Sequence, residues 1–95
     1  MIRTFADKRS AAIHAGMVPK GVPADIAGRA RRKLAIIDQT ATVDALRVPP
    51  GNHLEVLRGD RAGQHSIRVN DQWRLCFVWR DGDAFEVELI DYHKG

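Results

Sequence analysis

Two periodicities divide the chain. Between Pro23 and about Gln39, Ile26, Ala27, Ala30, Leu34 and Ile37 fall on one arc of a 100° wheel, with Arg29, Arg31 and Arg32 outside it. This predicts a helix that buries one stripe and shows a basic face. Pro23 suits its first position, and Asp25 in the first turn favours the helix dipole. A shorter helix is expected over Asp7 to His14, stopped by Gly16, with a short strand before it at Ile2 to Phe5. Val43 to Leu46 can add one helical turn.

Pro49-Pro50-Gly51 ends the helical part, and the period then drops to two. Strands are predicted at His53 to Leu57 and at His65 to Val69, separated by the Gly59 to Gly63 loop. Asn70-Asp71 makes a tight turn. Trp73, Leu75, Phe77 and Trp79 then alternate with Arg74, Cys76, Val78 and Arg80. Asp81-Gly82 is the strongest hairpin signal, because a type I′ turn needs positive φ at both central residues. Beyond it Phe85, Val87 and Leu89 alternate with Glu86, Glu88 and Ile90. The expected architecture is α+β: an N-terminal strand and two helices packed on a small, mainly antiparallel sheet.

Composition narrows the class. At 95 residues, a single domain over 1–95 with one modest core is expected. The net charge is only +3, but it is unevenly spread. Residues 1–33 carry a local +6 and residues 58–80 a local +3, while residues 34–57 are at −2 and residues 81–95 at −4. Clustered arginine fits a protein that meets a polyanion, although a solvated basic surface accounts for it equally well. Cys76 is the only cysteine, so no intrachain disulfide or paired-cysteine metal motif can form. No export signal and no membrane span are expected, which points to the cytoplasm.

The acid/base inventory is concentrated in Asp91-Tyr92-His93, where a carboxylate, a phenol and an imidazole follow one another at a strand end. On spacing alone, a polar strand end running into a solvated tail has the better claim. Arg58, Arg61, Arg68, Arg74 and Arg80 form a second group. Guanidinium forks match phosphate oxygens, but pairing with Glu55, Glu86 and Glu88 is an equal alternative. His14, His53, His65 and His93 match no metal spacing, so neither zinc nor any other metal is expected. Trp73, Phe77 and Trp79 read as a core face in preference to base-stacking platforms, and Cys76 as a buried apolar residue.

The stretch Leu54-Glu-Val-Leu-Arg-Gly-Asp-Arg-Ala-Gly-Gln-His-Ser-Ile-Arg-Val-Asn-Asp-Gln-Trp-Arg-Leu-Cys-Phe77, with the ending Asp91-Tyr-His93, resembles the HigB toxins of the RelE/ParE superfamily. The opening Ile2-Arg-Thr-Phe and the Pro23 helix fit that family as well. The resemblance implies an endonuclease acting on ribosome-bound mRNA, with a helix-turn-helix antitoxin of the HigA type as partner. It implies no cofactor: the ribose 2′-hydroxyl attacks the adjacent phosphate without a metal.

Carried over by position, the resemblance makes His93 the principal general acid/base, Tyr92 a nucleotide-positioning group and Asp91 their orienter. Arg74 and Arg58 would stabilise charge on the phosphorane. Gln72 matches an amide-bearing position of the family; Arg61 and Arg68, from the arginine cluster, and His53 are further candidates for RNA contact. Some relatives carry a histidine where this chain has Glu55, so Glu55 is the alternative base. Period-two alternation would place His53 on the same face as Glu55. Two rival readings are a non-catalytic ribosome- or RNA-binding inhibitor and a ParE-like inhibitor of DNA gyrase.

Overall fold

The computed structural model describes residues 1–92. Helix α1, Lys8–His14, starts at Asp7, whose carboxylate accepts the Ser10 N–H at 2.8 Å. Helix α2, Ala24–Gln39, begins one residue after Pro23, which is its N-cap. All five residues of the predicted stripe are buried, and Arg29, Arg31 and Arg32 face solvent. The stripe meets Ile67, Leu75, Phe77, Val87 and Leu89, so a single core lies between the helices and one face of the sheet. Among the described residues, no helix is long and apolar enough to cross a membrane.

The passage from helix to sheet runs through two short 3-10 segments, Val43–Arg47 and Pro50–Asn52. Asn52 is fully buried and organises this passage. Its amide donates to Leu46 O at 3.1 Å and Val48 O at 3.4 Å, while its side-chain oxygen accepts from Lys33 Nζ on α2. His53 then takes a left-handed conformation, φ 44°, as the cap of the second segment. The strand predicted over His53 to Leu57 is therefore cut to β1, Glu55–Val56. Alternation does not run back through a left-handed residue, so the shared face expected for His53 and Glu55 does not follow.

Strands β2 (Gln64–Arg68), β3 (Trp73–Arg80) and β4 (Asp83–Asp91) complete an antiparallel sheet of order β1-β2-β3-β4. Asp81 and Gly82 both have positive φ, 52° and 82°, as the predicted hairpin requires. The expected strand at Ile2 to Phe5 is reduced to two isolated parallel bridges, Ile2 to Ala84 and Phe5 to Val87, along the outer edge of β4.

That edge is interrupted by a bulge. Val78 pairs with Phe85, but Cys76 pairs with Glu88, so β4 carries one residue more than β3. Glu86 sits there with φ 52°, and its N–H donates to Thr4 Oγ1 at 2.8 Å. The bulge overturns one expectation. Phe85 does not share the core face with Val87 and Leu89; Ala84 does, fully buried, while Phe85 lies under the Arg80 guanidinium at 4.4 Å.

Glu86 is an exposed side chain in a conformation that suits glycine. Glu86→Gly should therefore raise unfolding free energy by roughly 0.5–1 kcal/mol in urea titrations. Asn52→Ala leaves the buried Leu46 carbonyl and the part-buried Val48 carbonyl short of a donor, and the same titration should show a loss of about 1–3 kcal/mol.

Candidate active site

The sheet face turned away from the helices is polar, and strand register sets its layout. Glu55 pairs with Ser66, Ser66 with Cys76 and Cys76 with Glu88, forming one row across all four strands. Directly paired residues share a face, so carboxylates stand at both ends of a floor made by Ser66 and Cys76, both fully buried. In the neighbouring row, Arg68 pairs with Arg74 and Arg74 with Ile90. Tyr92, two residues beyond Ile90, returns over the floor, its hydroxyl 3.6 Å from Cys76 Sγ.

Arg74 is the best-held side chain of this face. Its Nε donates to Ser66 Oγ at 2.9 Å, and its NH2 donates to His53 O at 2.6 Å, with Glu55 Oε1 at 3.6 Å. The side chain is 12% exposed, so its orientation is fixed by neutral acceptors with one carboxylate at longer range. Arg61 arrives from the opposite side. It leaves the 3-10 turn Gly59–Arg61, donates to Gln64 Oε1 at 3.0 Å, and pairs with Glu88 Oε1 at 3.3 Å. The two guanidinium groups thus bracket Cys76 and the Tyr92 hydroxyl.

The C-terminal run is anchored to the start of β3. Asn70 Oδ1 accepts from the N–H groups of Gln72 and Trp73, both at 2.8 Å, which shapes the turn that presents Gln72. Gln72 then holds both sides of the run: its Nε2 donates to Asp91 Oδ2 at 3.0 Å, and its carbonyl accepts the Tyr92 N–H at 2.7 Å.

Of the predicted site residues, Arg74, Arg61, Glu55 and Tyr92 converge, with Asp91 and Gln72 positioning the last of them. Arg68 shares the face but is paired with Asp71 in the adjacent turn. His53 contributes its carbonyl, and Arg58 stands exposed where the loop begins. His93 lies outside the described residues. Ser66 and Glu88 were not singled out as site residues by the sequence reading. Period two places Glu88 with Ile90 and Tyr92, but linking that face to Ser66 needs the register.

A cavity of about 380 Å³ occurs elsewhere, lined by Arg29, Arg32, Lys33, Ile36 and Val69 on the helix layer. Two guanidinium groups on one sheet face suit an anionic ligand, because their donors match its oxygens.

Comparison with known proteins decides the family. Residues 4–93 match the model of the RelE-like toxin of type II toxin-antitoxin system HigB. The chain belongs to the HigB-like toxin family. Its relatives include Toxin HigB-1 of Vibrio cholerae, 47% identical over 73 residues that cover 77% of this chain and 76% of the relative. Endoribonuclease HigB of Proteus vulgaris is 34% identical over 93 residues, covering 98% and 100%. At the level of fold, the HigB-like chain resembles a YoeB-YefM complex from Staphylococcus aureus, with a TM-score of 0.56 at 13% identity, covering 93% of this chain and 95% of that one. As a type II toxin, the protein has an antitoxin as partner.

The electrostatics of the HigB-like site keep its phenol neutral. Tyr92 is pushed up to about 12, first by burial and then by the Cys76 contact, against the pull of Arg74 and Arg61. The residue as a whole is 43% exposed; the hydroxyl is the part that rests on the buried floor. Burial likewise raises the Cys76 thiol, which makes it a poor nucleophile at neutral pH. Tyr92 is the only tyrosine, so alkaline difference absorbance reads it alone. The tyrosinate band should appear near pH 12 instead of near pH 10. Since the folded state holds the proton longer, this group's stabilisation is complete below pH 10 and is lost as pH rises towards 12. A midpoint near 10 in the folded protein would contradict the buried hydroxyl.

Proposed function

We propose that this toxin is an endoribonuclease that cleaves mRNA on the ribosome, with the polar sheet face as its active site. The observation that carries this reading is the convergence of Arg74 and Arg61 on the Tyr92 hydroxyl over a buried floor. Membership of the HigB-like family and the Proteus vulgaris relative named an endoribonuclease support the same reaction class.

In this reading, a ribose 2′-hydroxyl attacks the adjacent phosphorus. The 2′ proton passes to a base, the bond from phosphorus to the 5′ oxygen breaks, and that oxygen takes up a proton. The products are a 2′,3′-cyclic phosphate and a 5′-hydroxyl end. Negative charge grows on the non-bridging oxygens, where fixed guanidinium groups are most effective, and Arg74 has the geometry to meet it. Tyr92, protonated at neutral pH, acts as a hydrogen-bond donor or stacking group. His93 is the principal acid/base, and Asp91, held by Gln72, orients the run. Glu55 lies beside Arg74 and is the second group able to take the 2′ proton. Arg58 and Arg68 add positive charge beside this face for contact with RNA. The antitoxin is of the HigA helix-turn-helix type.

Primer extension on messages from translating ribosomes tests this directly. Wild type should leave discrete cleavage ends, Arg74→Ala should lower the rate by about 10²–10³-fold, and His93→Ala should fall at least as far. Translation arrest by wild type without cleaved message, or full cleavage by either variant, would overturn the assignment.

A further inference from the structure

Arg61 is unusual among the arginines of the polar face, because its backbone is not in the sheet. It ends a 3-10 turn in a loop bounded by Gly59 and Gly63, both with positive φ, 66° and 92°. Such a loop does not fix the direction of a long side chain. The guanidinium nevertheless lies across the face: it touches Gln64 on β2 and Glu88 on β4, two strands away, a span of about 10 Å at ordinary strand spacing. Both its terminal nitrogens contact Glu88 Oε1, at 3.4 and 3.3 Å.

Glu88 itself is rigidly placed. It is paired with Cys76 of the inner strand β3, immediately after the β4 bulge, and its side chain is 27% exposed. A carboxylate so positioned is a fixed post for a long side chain that leaves from a loop. We infer that Glu88 is a positioning residue for RNA cleavage, holding Arg61 over the floor beside Tyr92 so that a phosphate meets a pre-oriented second guanidinium opposite Arg74. The inference rests on the endoribonuclease reading and adds to it the residue that assembles the second half of the phosphate clamp. Arg74 needs no such post, because Ser66 Oγ and His53 O already hold it.

The test is a double-mutant cycle on cleavage by translating ribosomes programmed with one defined message, with kcat and KM separated. Arg61→Ala and Glu88→Ala should each lower kcat by about ten- to a hundredfold, as loss of positioning does. The double variant should be no slower than Arg61→Ala alone, because Glu88 acts only through that arginine. Glu88→Gln, which keeps an acceptor oxygen, should recover part of the loss. Thermal melts serve as the folding control, and Glu88→Gln remains informative if Glu88→Ala does not fold.

Wild-type kcat in Glu88→Ala or in Arg61→Ala, losses that multiply in the double variant, or faster cleavage without Glu88 would each overturn the inference. Faster cleavage would mean that Glu88 competes with substrate for Arg61. These outcomes differ from failure of the function itself, which would appear as undiminished cleavage in Arg74→Ala and His93→Ala.

Discussion

The polar face exists because β4 contains one residue too many for its partner. The Asp81-Gly82 turn fixes Arg80 opposite Asp83, Trp79 opposite Ala84 and Val78 opposite Phe85. Continued without interruption, that register would set Glu88 against Leu75, on the core side, and would turn Val87 and Leu89 outward. Such an arrangement buries a carboxylate and exposes two aliphatic side chains, a costly exchange. Inserting Glu86 at φ 52° shifts the strand by one, so Val87 and Leu89 enter the core while Glu88, Ile90 and Tyr92 come to the other face. The N-terminal segment completes the arrangement, with Thr4 accepting the N–H groups of both Glu86 and Val87. Its parallel bridges stay isolated because a bulged edge offers no continuous ladder.

These contacts explain which parts of the molecule could be read from sequence. The α2 stripe was legible because Ile26, Ala27, Ala30, Leu34 and Ile37 report a single periodicity that local packing then satisfies. The Asp81-Gly82 hairpin was legible because its turn chemistry is local. Phase errors began where a non-glycine residue took positive φ. His53 and Glu86 both do so; histidine favours that region only weakly and glutamate not at all. Each displaced an alternation argument: His53 lost its assumed face with Glu55, and Phe85 left the core.

The site shows the same division between local and long-range information. Arg74 could be placed on a sheet face from the Trp73 to Arg80 alternation alone. The grouping of Arg74 with Ser66, of Arg61 with Glu88 and of Tyr92 with Cys76 depends on pairing register and on a loop, which alternation does not encode. The two alternatives open at sequence level for the arginines, phosphate recognition or pairing with glutamates, are also not exclusive. Arg74 and Arg61 are paired with Glu55 and Glu88 and remain on the open face.

The two pairs are not equivalent, and the difference bears on chemistry. Glu55 is 58% exposed and 3.6 Å from Arg74, so solvent screens much of their attraction, while the short contacts of Arg74 go to neutral oxygens. Its positive charge is therefore held in place without being cancelled, the condition under which a guanidinium best stabilises a developing oxyanion. Glu88 is 27% exposed and meets both terminal nitrogens of Arg61, so that charge is more fully balanced. Arg61 is the guanidinium whose position needs a counter-charge, and Arg74 the one whose position does not. A phosphate arriving between them would find its stronger field on the Arg74 side and its fixed geometry on both.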